Sequence, residues 1–148
     1  MGFVGKYEVT MDAKNRFLLP AALKKQFPDG AEKFIVSRGR EGCLIIYTLA
    51  LWEQIEKELT AKGDNDPKIR EFKAVLYDST YEVELDAAGR AMLQGESVEY
   101  AGLKKEVMLA SYGDRIQIWD LAKYKQRMAK IRETSFIETA DALGLSVF

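Results

Sequence analysis

The sequence contains no histidine and a single cysteine, Cys43, among its 148 residues. Without histidine there is no Ser-His-Asp or Cys-His nucleophile, no histidine general base and no histidine metal ligand. One cysteine cannot form an internal disulfide or a cysteine-rich zinc site, and we interpret Cys43 as a buried, small hydrophobic residue. This cysteine usage is typical of a reducing compartment and predicts a cytoplasmic protein.

Long apolar runs are also missing. No stretch approaches the roughly 18 apolar residues that a membrane-spanning helix needs, and the first residues lack the apolar core of a signal peptide, so we expect no membrane partner. Hydrophobic residues make up 47% of the chain and charged residues 30%. This balance is typical of one globular domain, or of two small ones that share a core.

Neither sign of charge is in large excess. The chain has 22 basic and 23 acidic residues and a net charge of −1, which taken alone argues against nucleic-acid binding. Residues 1–40 nevertheless carry 8 Lys and Arg against 4 Asp and Glu, whereas residues 41–100 carry 6 against 13. The first segment is therefore a mildly basic module joined to an acidic middle, a pattern that a solvated surface can also produce.

A duplicated segment organises the chain. Residues 7–19 (YEVTMDAKNRFLL) recur 74 positions later as residues 81–93 (YEVELDAAGRAML), with seven of the thirteen positions identical. Residues 44–52 recur in pattern as residues 116–124, at an offset of 72. Two blocks in the same order at nearly the same offset indicate two copies of one unit of about 45 residues.

Each copy of the first block predicts a strand, a tight turn and a second strand. Its opening residues alternate between apolar and polar, the period-2 pattern of a half-buried strand. The fourth turn position is Asn15 in one copy and Gly89 in the other. These residue types tolerate a positive φ best, so we predict a left-handed backbone at both. Asp12 and Asp86 open the turns, where a carboxylate can accept hydrogen bonds from backbone N–H groups.

The rest of each copy predicts a common plan. In the first copy Pro20 stands where a short helix can begin. In both copies two further strands follow, and apolar residues at helical spacing close the unit. We interpret the aromatic and methionine residues of the helical stripes, including Phe72 of a connecting helix, as core packing. Residues 136–144 predict a short helix or a tail that could pack on a neighbouring subunit. The predicted segments are a first unit over residues 5–51, a helical connector over 52–79, a second unit over 80–123, and a C-terminal helix and tail over 124–148.

Neither unit is large enough to bury a good core alone. We therefore expect a mostly β fold with short α-helices, in which the two units interlock into one β-barrel with approximate two-fold symmetry and the helices lie outside. The two Asp-x-x-x-Arg turns would then occupy symmetry-related places.

The duplicated Asp-Ala-x-x-Arg turn resembles the MraZ family of bacterial transcriptional regulators. The segments GCL (residues 42–44), YAGL (100–103) and GDRIQIWD (113–120) share this resemblance, which covers about residues 3–130. The resemblance implies tandem SpoVT/AbrB-like swapped-hairpin units in a β-barrel and a ring-like homo-oligomer. It also implies binding to short direct repeats in the promoter of the division and cell-wall gene cluster, with the Asp-x-x-x-Arg region on the DNA face.

The chain departs from the family pattern at two places. Asn15 replaces the usual glycine, a change that the left-handed conformation accommodates. The second unit reads Leu93-Gln94-Gly95-Glu96-Ser97 where the family typically has an apolar residue followed by prolines. Neutral Ala88 and acidic Glu96 leave the second turn less positive than the first. We therefore expect the first unit to dominate DNA contact.

The pairing of Asp12 with Arg16 has two interpretations. It can simply stabilise the turn, as a surface ion pair worth about 0–1 kcal/mol does. Alternatively, the turn holds Arg16 stiffly beside Lys14, so that its guanidinium binds a guanine edge or a phosphate at a smaller entropic cost. The repetition and the resemblance favour DNA contact by Arg16, with Asp12 orienting it. The predicted DNA-binding residues are Lys14, Arg16, Arg90, Arg38 and Arg40, and the predicted turn-supporting residues are Asp12, Asn15, Asp86 and Gly89.

Arg38 and Arg40 flank a glycine and are as consistent with a solvated loop as with phosphate contacts. No catalytic residue, metal ligand or cofactor site is predicted, and no motif supports an enzyme or a small-molecule substrate.

The sequence thus predicts a non-enzymatic, nucleoid-associated transcriptional regulator, a repressor that binds double-stranded promoter DNA as a homo-oligomer. Linked subunits on repeats about 10 bp apart gain affinity through effective concentration, which allows a slightly acidic protein to bind DNA. The alternative is an antitoxin-like or scaffold module of the same fold, whose acidic middle binds another protein.

Overall fold

The computed structural model describes residues 2–148, which form two repeated units of strands and helices. The first unit contains the strands β1 (Lys6–Thr10), β2 (Arg16–Leu18), β3 (Lys33–Arg38) and β4 (Leu44–Tyr47), and the helices α1 (Ala21–Lys24) and α2 (Leu49–Ala61). Helix α3 (Pro67–Asp78) connects the units. The second unit contains β5 (Tyr81–Glu84), β6 (Arg90–Met92), α4 (Gly95–Ala101), β7 (Glu106–Tyr112) and β8 (Arg115–Asp120), and the helices α5 (Leu121–Ile131) and α6 (Phe136–Ala142) follow.

The strand order of the larger sheet shows that the two units interlock. This six-stranded sheet has the order β1-β7-β8-β4-β3-β5. If each strand is replaced by its counterpart in the other unit (β1 by β5, β3 by β7, β4 by β8, and the reverse), the same order results, read from the opposite edge of the sheet. An approximate two-fold axis therefore passes between β4 and β8. The first strand of each unit pairs antiparallel with the third strand of the other, with Tyr7 opposite Leu109 and Val83 opposite Phe34. The predicted interlocking of two units is confirmed.

Strands β2 and β6 pair antiparallel with each other in a separate two-stranded ribbon. Backbone hydrogen bonds from Leu19 N to Gly89 O (3.1 Å) and from Leu93 N to Asn15 O (2.9 Å) tie each strand to the turn of the other unit. The ladders among residues 2–148 thus form a six-stranded sheet and a two-stranded ribbon, and no ladder joins the outer strands β1 and β5. Closure into a barrel stays a prediction.

One hydrophobic core joins the ribbon to one face of the large sheet. Phe17 of the ribbon, Leu23 of α1, Phe34 of β3 and Leu109 of β7 belong to it and are at most 1% exposed. Full burial of such a side chain contributes about 1.5–3 kcal/mol. The inward-facing apolar side chains of the ribbon therefore hold it against the large sheet, and the residues that alternate with them face outwards.

The opposite face of the sheet carries a smaller apolar cluster that includes Cys43, Ile45, Met108 and Trp119. Cys43 is fully buried, as predicted, and burial raises the pKa of its thiol to about 11. The thiol is therefore protonated at neutral pH and has the character of a small hydrophobic side chain.

Helix α4 is an element that the sequence analysis did not predict. It begins at Gly95, which corresponds to Ala21 of α1 at the repeat offset of 74, so the two units share this helix despite their different sequences. Gln94 precedes it where Pro20 precedes α1, and the Gln94 side chain makes no capping hydrogen bond. The start of α4 thus has no recognisable cap in the sequence.

The apolar stripe of α3 is only partly buried. Phe72 is 54% exposed and Val75 is 57% exposed, and both line a groove rather than the core. The interpretation of the α3 stripe as core packing is therefore wrong, because no residue of α3 is fully buried.

Candidate nucleic-acid interface

The turn of the first repeat is held by the carboxylate of Asp12. Its Oδ1 accepts hydrogen bonds from the backbone N–H groups of Lys14 and Arg16, each at 2.9 Å, and its Oδ2 accepts one from Arg16 Nε at 2.8 Å. The N–H of Asp12 in turn donates to the carbonyl oxygen of Arg16 at 2.8 Å. One carboxylate therefore fixes both the backbone and the side chain of Arg16.

The second repeat reproduces this geometry. Asp86 Oδ1 accepts hydrogen bonds from the N–H groups of Ala88 and Arg90, each at 2.9 Å, and Oδ2 accepts one from Arg90 Nε at 2.9 Å. The predicted pairing of aspartate with arginine is thus confirmed in both turns. Identical contacts in two copies show that the motif is a single structural device used twice.

The fourth turn residue adopts a left-handed backbone in each copy. Asn15 has a φ of 60° and Gly89 a φ of 83°, which confirms the prediction for both. Their N–H groups donate to the carbonyl oxygens of Asp12 (3.0 Å) and Asp86 (2.9 Å) and close the turns.

The hydrogen bonds hold the pKa of each turn carboxyl below its usual value of 3.8. The largest cause is the hydrogen bond from the backbone N–H of Arg16 for Asp12 and from that of Arg90 for Asp86. Desolvation opposes it, and the hydrogen bond and charge of each guanidinium lower the pKa further. Because the pKa is lowered, both carboxylates are ionised at neutral pH and each attracts its arginine.

Each pair leaves the outer part of the guanidinium available. Arg16 and Arg90 use only Nε in side-chain hydrogen bonds, and their Nη atoms have no partner among residues 2–148. The two side chains are 27% and 37% exposed. A guanidinium held in this way can present its terminal N–H groups to two acceptors on a guanine edge or to a phosphate.

The two arginines lie on the same face of the ribbon. Arg16 stands opposite Met92, and Leu18 stands opposite Arg90. Since successive side chains of a strand alternate between faces, these four residues point one way while the intervening Phe17 and Ala91 point into the core. We call the outer face, formed by Arg16, Leu18, Arg90 and Met92, the ribbon face.

Leu18 and Met92 are residues of this face that the sequence analysis missed. They are 58% and 59% exposed between the two arginines. Each is the middle residue of three consecutive apolar residues, as in Phe17-Leu18-Leu19, a run that looks wholly buried. The alternation of strand faces is the only signal that could have found them, and it requires knowing that β2 is a short ribbon strand.

The surroundings of the two turns differ in charge. Lys14 is exposed in the first turn, whereas its counterpart Ala88 is neutral. Glu96 is exposed in the first turn of α4, close in sequence to β6. The geometry of the turns is thus symmetric, and their charge is not.

Arg38 and Arg40 lie away from the ribbon face. Arg38 ends β3, and its guanidinium lies over the ring of Tyr100, 4.5 Å from the centroid. Arg40 lies in the turn between β3 and β4. Both line a groove whose walls include no residue of the ribbon face. The structure therefore brings together Lys14, Arg16 and Arg90 and separates Arg38 and Arg40 from them.

Among residues 2–148, no three or more histidine, cysteine, aspartate or glutamate side chains group in a way that could hold a metal ion. Over the same range, no helix combines the length and apolarity required to cross a membrane.

The fold and the paired turns define a tandem-repeat protein whose two units share one arginine-bearing ribbon. A model of the family described as "MraZ protein, putative antitoxin-like" matches the chain twice, over residues 3–74 and 76–146. A protein of Clostridium beijerinckii named "Transcriptional regulator MraZ" is 32% identical over 145 residues, 97% of this chain and 99% of that protein. The chain belongs to the MraZ family, as the resemblance of its duplicated turn indicated.

Two further relatives have the same name. The protein of Thiobacillus denitrificans is 33% identical over 129 residues, which cover 86% of this chain and 87% of that protein. The protein of Nitrosomonas eutropha is 32% identical over 123 residues, which cover 82% and 83%. These relatives are thus named for a role in transcription and match the chain over most of its length.

Proposed function

We propose that this chain is a sequence-specific, DNA-binding transcriptional regulator that contacts DNA through its ribbon face. The name of its relatives supports the regulatory role. The observation that carries the proposal is the pair of arginines, Arg16 and Arg90, each held at Nε by an ionised aspartate and each with free Nη atoms on one exposed face.

The shape and chemistry of the ribbon face suit the major groove. That groove is about 12 Å wide and admits a two-stranded β-ribbon. The free N–H groups of Arg16 and Arg90 can donate to guanine O6 and N7, and exposed Leu18 and Met92 can contact thymine methyl groups. Because each guanidinium is already oriented by its aspartate, less side-chain entropy is lost on binding. Asp12 and Asp86 themselves stay away from DNA, whose phosphates would repel them.

The first unit dominates this contact. Both turns have the same geometry, but only the first adds a cation, Lys14, and the basic excess of the chain is greatest in residues 1–40. Arg38 and Arg40 act as additional phosphate contacts only if DNA extends beyond the ribbon face, since they line a separate groove.

Self-assembly completes the proposed function. A ribbon face with two arginines and one lysine makes few contacts, so a single subunit binds weakly and with a strong dependence on salt. A ring-like homo-oligomer on short direct repeats overcomes this weakness through effective concentration. We assign to the protein a SpoVT/AbrB-like, barrel-forming fold and the role of a nucleoid-associated repressor at the promoter of the division and cell-wall gene cluster.

Selection of bound sequences from random double-stranded DNA at moderate salt tests the proposal. The full chain should enrich a short motif in direct repeats that also occurs in the promoter of the division and cell-wall genes. A double variant, Arg16→Ala with Arg90→Ala, should enrich none, and the control Arg70→Ala, which changes an exposed arginine of α3, should enrich the same motif. Absence of any motif with the unaltered chain, or the same motif with the double variant, would contradict the proposal.

A further inference from the structure

The segment that follows β6 has an anchor that its counterpart in the first unit lacks. The N–H of Gln94 donates to Tyr81 Oη at 3.1 Å, and Tyr81 Oη donates to Ser97 Oγ at 2.8 Å. Ser97 lies in the first turn of α4 and is buried, so the two hydroxyl groups satisfy each other away from water. The hydroxyl of Tyr81 therefore fixes the backbone just after β6 and the start of α4.

The equivalent position of the first unit cannot form this anchor. Pro20 corresponds to Gln94 at the repeat offset of 74, and proline has no backbone N–H. Tyr7 corresponds to Tyr81, and its hydroxyl instead accepts a hydrogen bond from Gln26 Nε2 at 3.1 Å. The two units thus use the same tyrosine differently, and only the second unit ties it to the backbone that leaves the ribbon.

The anchored segment also carries the hydrogen bond that supports the first turn. The N–H of Leu93, the residue before Gln94, donates to the carbonyl oxygen of Asn15 at 2.9 Å. Asn15 immediately precedes Arg16. The second turn receives the corresponding bond from Leu19 at 3.1 Å, but a proline follows that residue and leaves it without an anchored neighbour. The turn that carries Arg16 is therefore held more firmly from the other unit than its counterpart is.

We propose that Tyr81 is a positioning residue for DNA contact by Arg16. By fixing the N–H of Gln94, its hydroxyl keeps the neighbouring N–H of Leu93 bound to the first turn, so that the turn is ordered before DNA arrives. Without the anchor, the turn is ordered only on binding, and this ordering lowers the affinity. The inference rests on the proposed DNA contact by Arg16, and it gives the first unit an advantage that does not depend on charge.

Two single changes remove the anchor from opposite sides. Tyr81→Phe deletes the hydroxyl, and Gln94→Pro deletes the N–H. Gln94 has a φ of −71° and a ψ of 146°, close to the −57° and 135° of Pro20, so a proline fits there without backbone strain. Tyr7→Phe is the matched control, because it deletes the equivalent hydroxyl of the first unit, which binds neither turn.

Fluorescence anisotropy with a selected repeat DNA at one salt concentration measures the effect. We expect Tyr81→Phe and Gln94→Pro each to weaken binding about two- to twelve-fold, the equivalent of one net hydrogen bond, and their combination to weaken it no further. Tyr7→Phe should bind as the unaltered chain does. In an Arg16→Ala background Tyr81→Phe should have no further effect, and in an Arg90→Ala background it should keep its full effect. A general loss of stability would not produce this difference.

Hydrogen–deuterium exchange, followed by mass spectrometry, reports on the turn without DNA. The peptide that contains Leu93 should exchange faster in Tyr81→Phe than in Tyr7→Phe, while circular dichroism shows that both chains keep the fold. Undiminished DNA binding by Tyr81→Phe and Gln94→Pro would overturn the inference, as would a full effect of Tyr81→Phe in the Arg16→Ala background. If Arg16→Ala loses affinity and the anchor variants do not, this inference alone fails. If Arg16→Ala binds DNA undiminished, the DNA proposal fails and this inference fails with it.

Discussion

The charge difference between the two turns leads to a reciprocal prediction. Lys14 and Ala88 occupy equivalent positions, each with its N–H bound to the turn aspartate at 2.9 Å and its side chain exposed. Lys14→Ala and Ala88→Lys therefore change the charge beside the ribbon face without changing the turn. We expect Lys14→Ala to weaken DNA binding and Ala88→Lys to strengthen it.

The magnitude follows from the release of counterions by DNA. Each phosphate contact adds about 0.9 to the slope of log affinity against log salt concentration. A fourfold rise in salt therefore changes affinity by about 3.5-fold for each contact. Lys14→Ala should lower the slope by about 0.9 for every subunit bound to DNA, and Ala88→Lys should raise it by the same amount.

Fluorescence anisotropy with a selected repeat DNA, titrated between 50 and 400 mM salt, measures this slope. Lys57→Ala, which removes an exposed lysine of α2, is the control and should leave the slope unchanged. If neither Lys14→Ala nor Ala88→Lys moves the slope relative to this control, the turns do not face the phosphates and the reasoning is refuted.

Two further predictions concern the turns themselves. The pKa values of Asp12 and Asp86 are lowered in the folded chain, so the stability that these carboxylates contribute is present above pH 3.8 and is lost as the pH falls through their folded values. Thermal unfolding should show a smaller loss of Tm between pH 5 and pH 3 in Asp12→Asn with Asp86→Asn than in the unaltered chain, and an equal loss would contradict the assignment. Gly89→Ala should cost about 1–2 kcal/mol, which is about 2–8 °C in Tm, whereas Asn15→Gly should be nearly neutral. The added Cβ at Gly89 meets Leu18 Cδ1 at an ordinary 3.8 Å, so a normal Tm for Gly89→Ala would show that the positive φ is not strained.

Local features of the turns were predictable from the sequence, because their chemistry is local. The Asp12–Arg16 pair and the positive φ of Asn15 depend on residues within one turn. The second copy, with Asp86 and Arg90, gives a second example of the residue types that each turn position accepts. The interlocking of the units also followed, since neither could bury a core alone.

Long-range placement was less predictable. The β2–β6 ribbon is made by strands 74 residues apart, and the exposure of Leu18 depends on this pairing rather than on its apolar neighbours. Arg38 and Arg40 look similar to the turn cations in sequence, yet the end of β3 places them at the groove. The exposure of Phe72 depends on how α3 sits against the rest of the fold. Helical periodicity shows which residues share a face of the helix, but it does not show whether another element buries that face.

DNA binding by the ribbon face is decided by one comparison: the dissociation constants of the Arg16→Ala and Arg90→Ala chains for a selected repeat DNA, measured at one salt concentration. Loss of one bidentate base contact costs about 1–3 kcal/mol, or about 5- to 150-fold in affinity. We expect a loss in this range for Arg16→Ala, a smaller loss for Arg90→Ala, and an unchanged fold and oligomer for both. Equal losses would contradict the dominance of the first unit, and unchanged affinity in both variants would contradict the ribbon face as the DNA-binding surface.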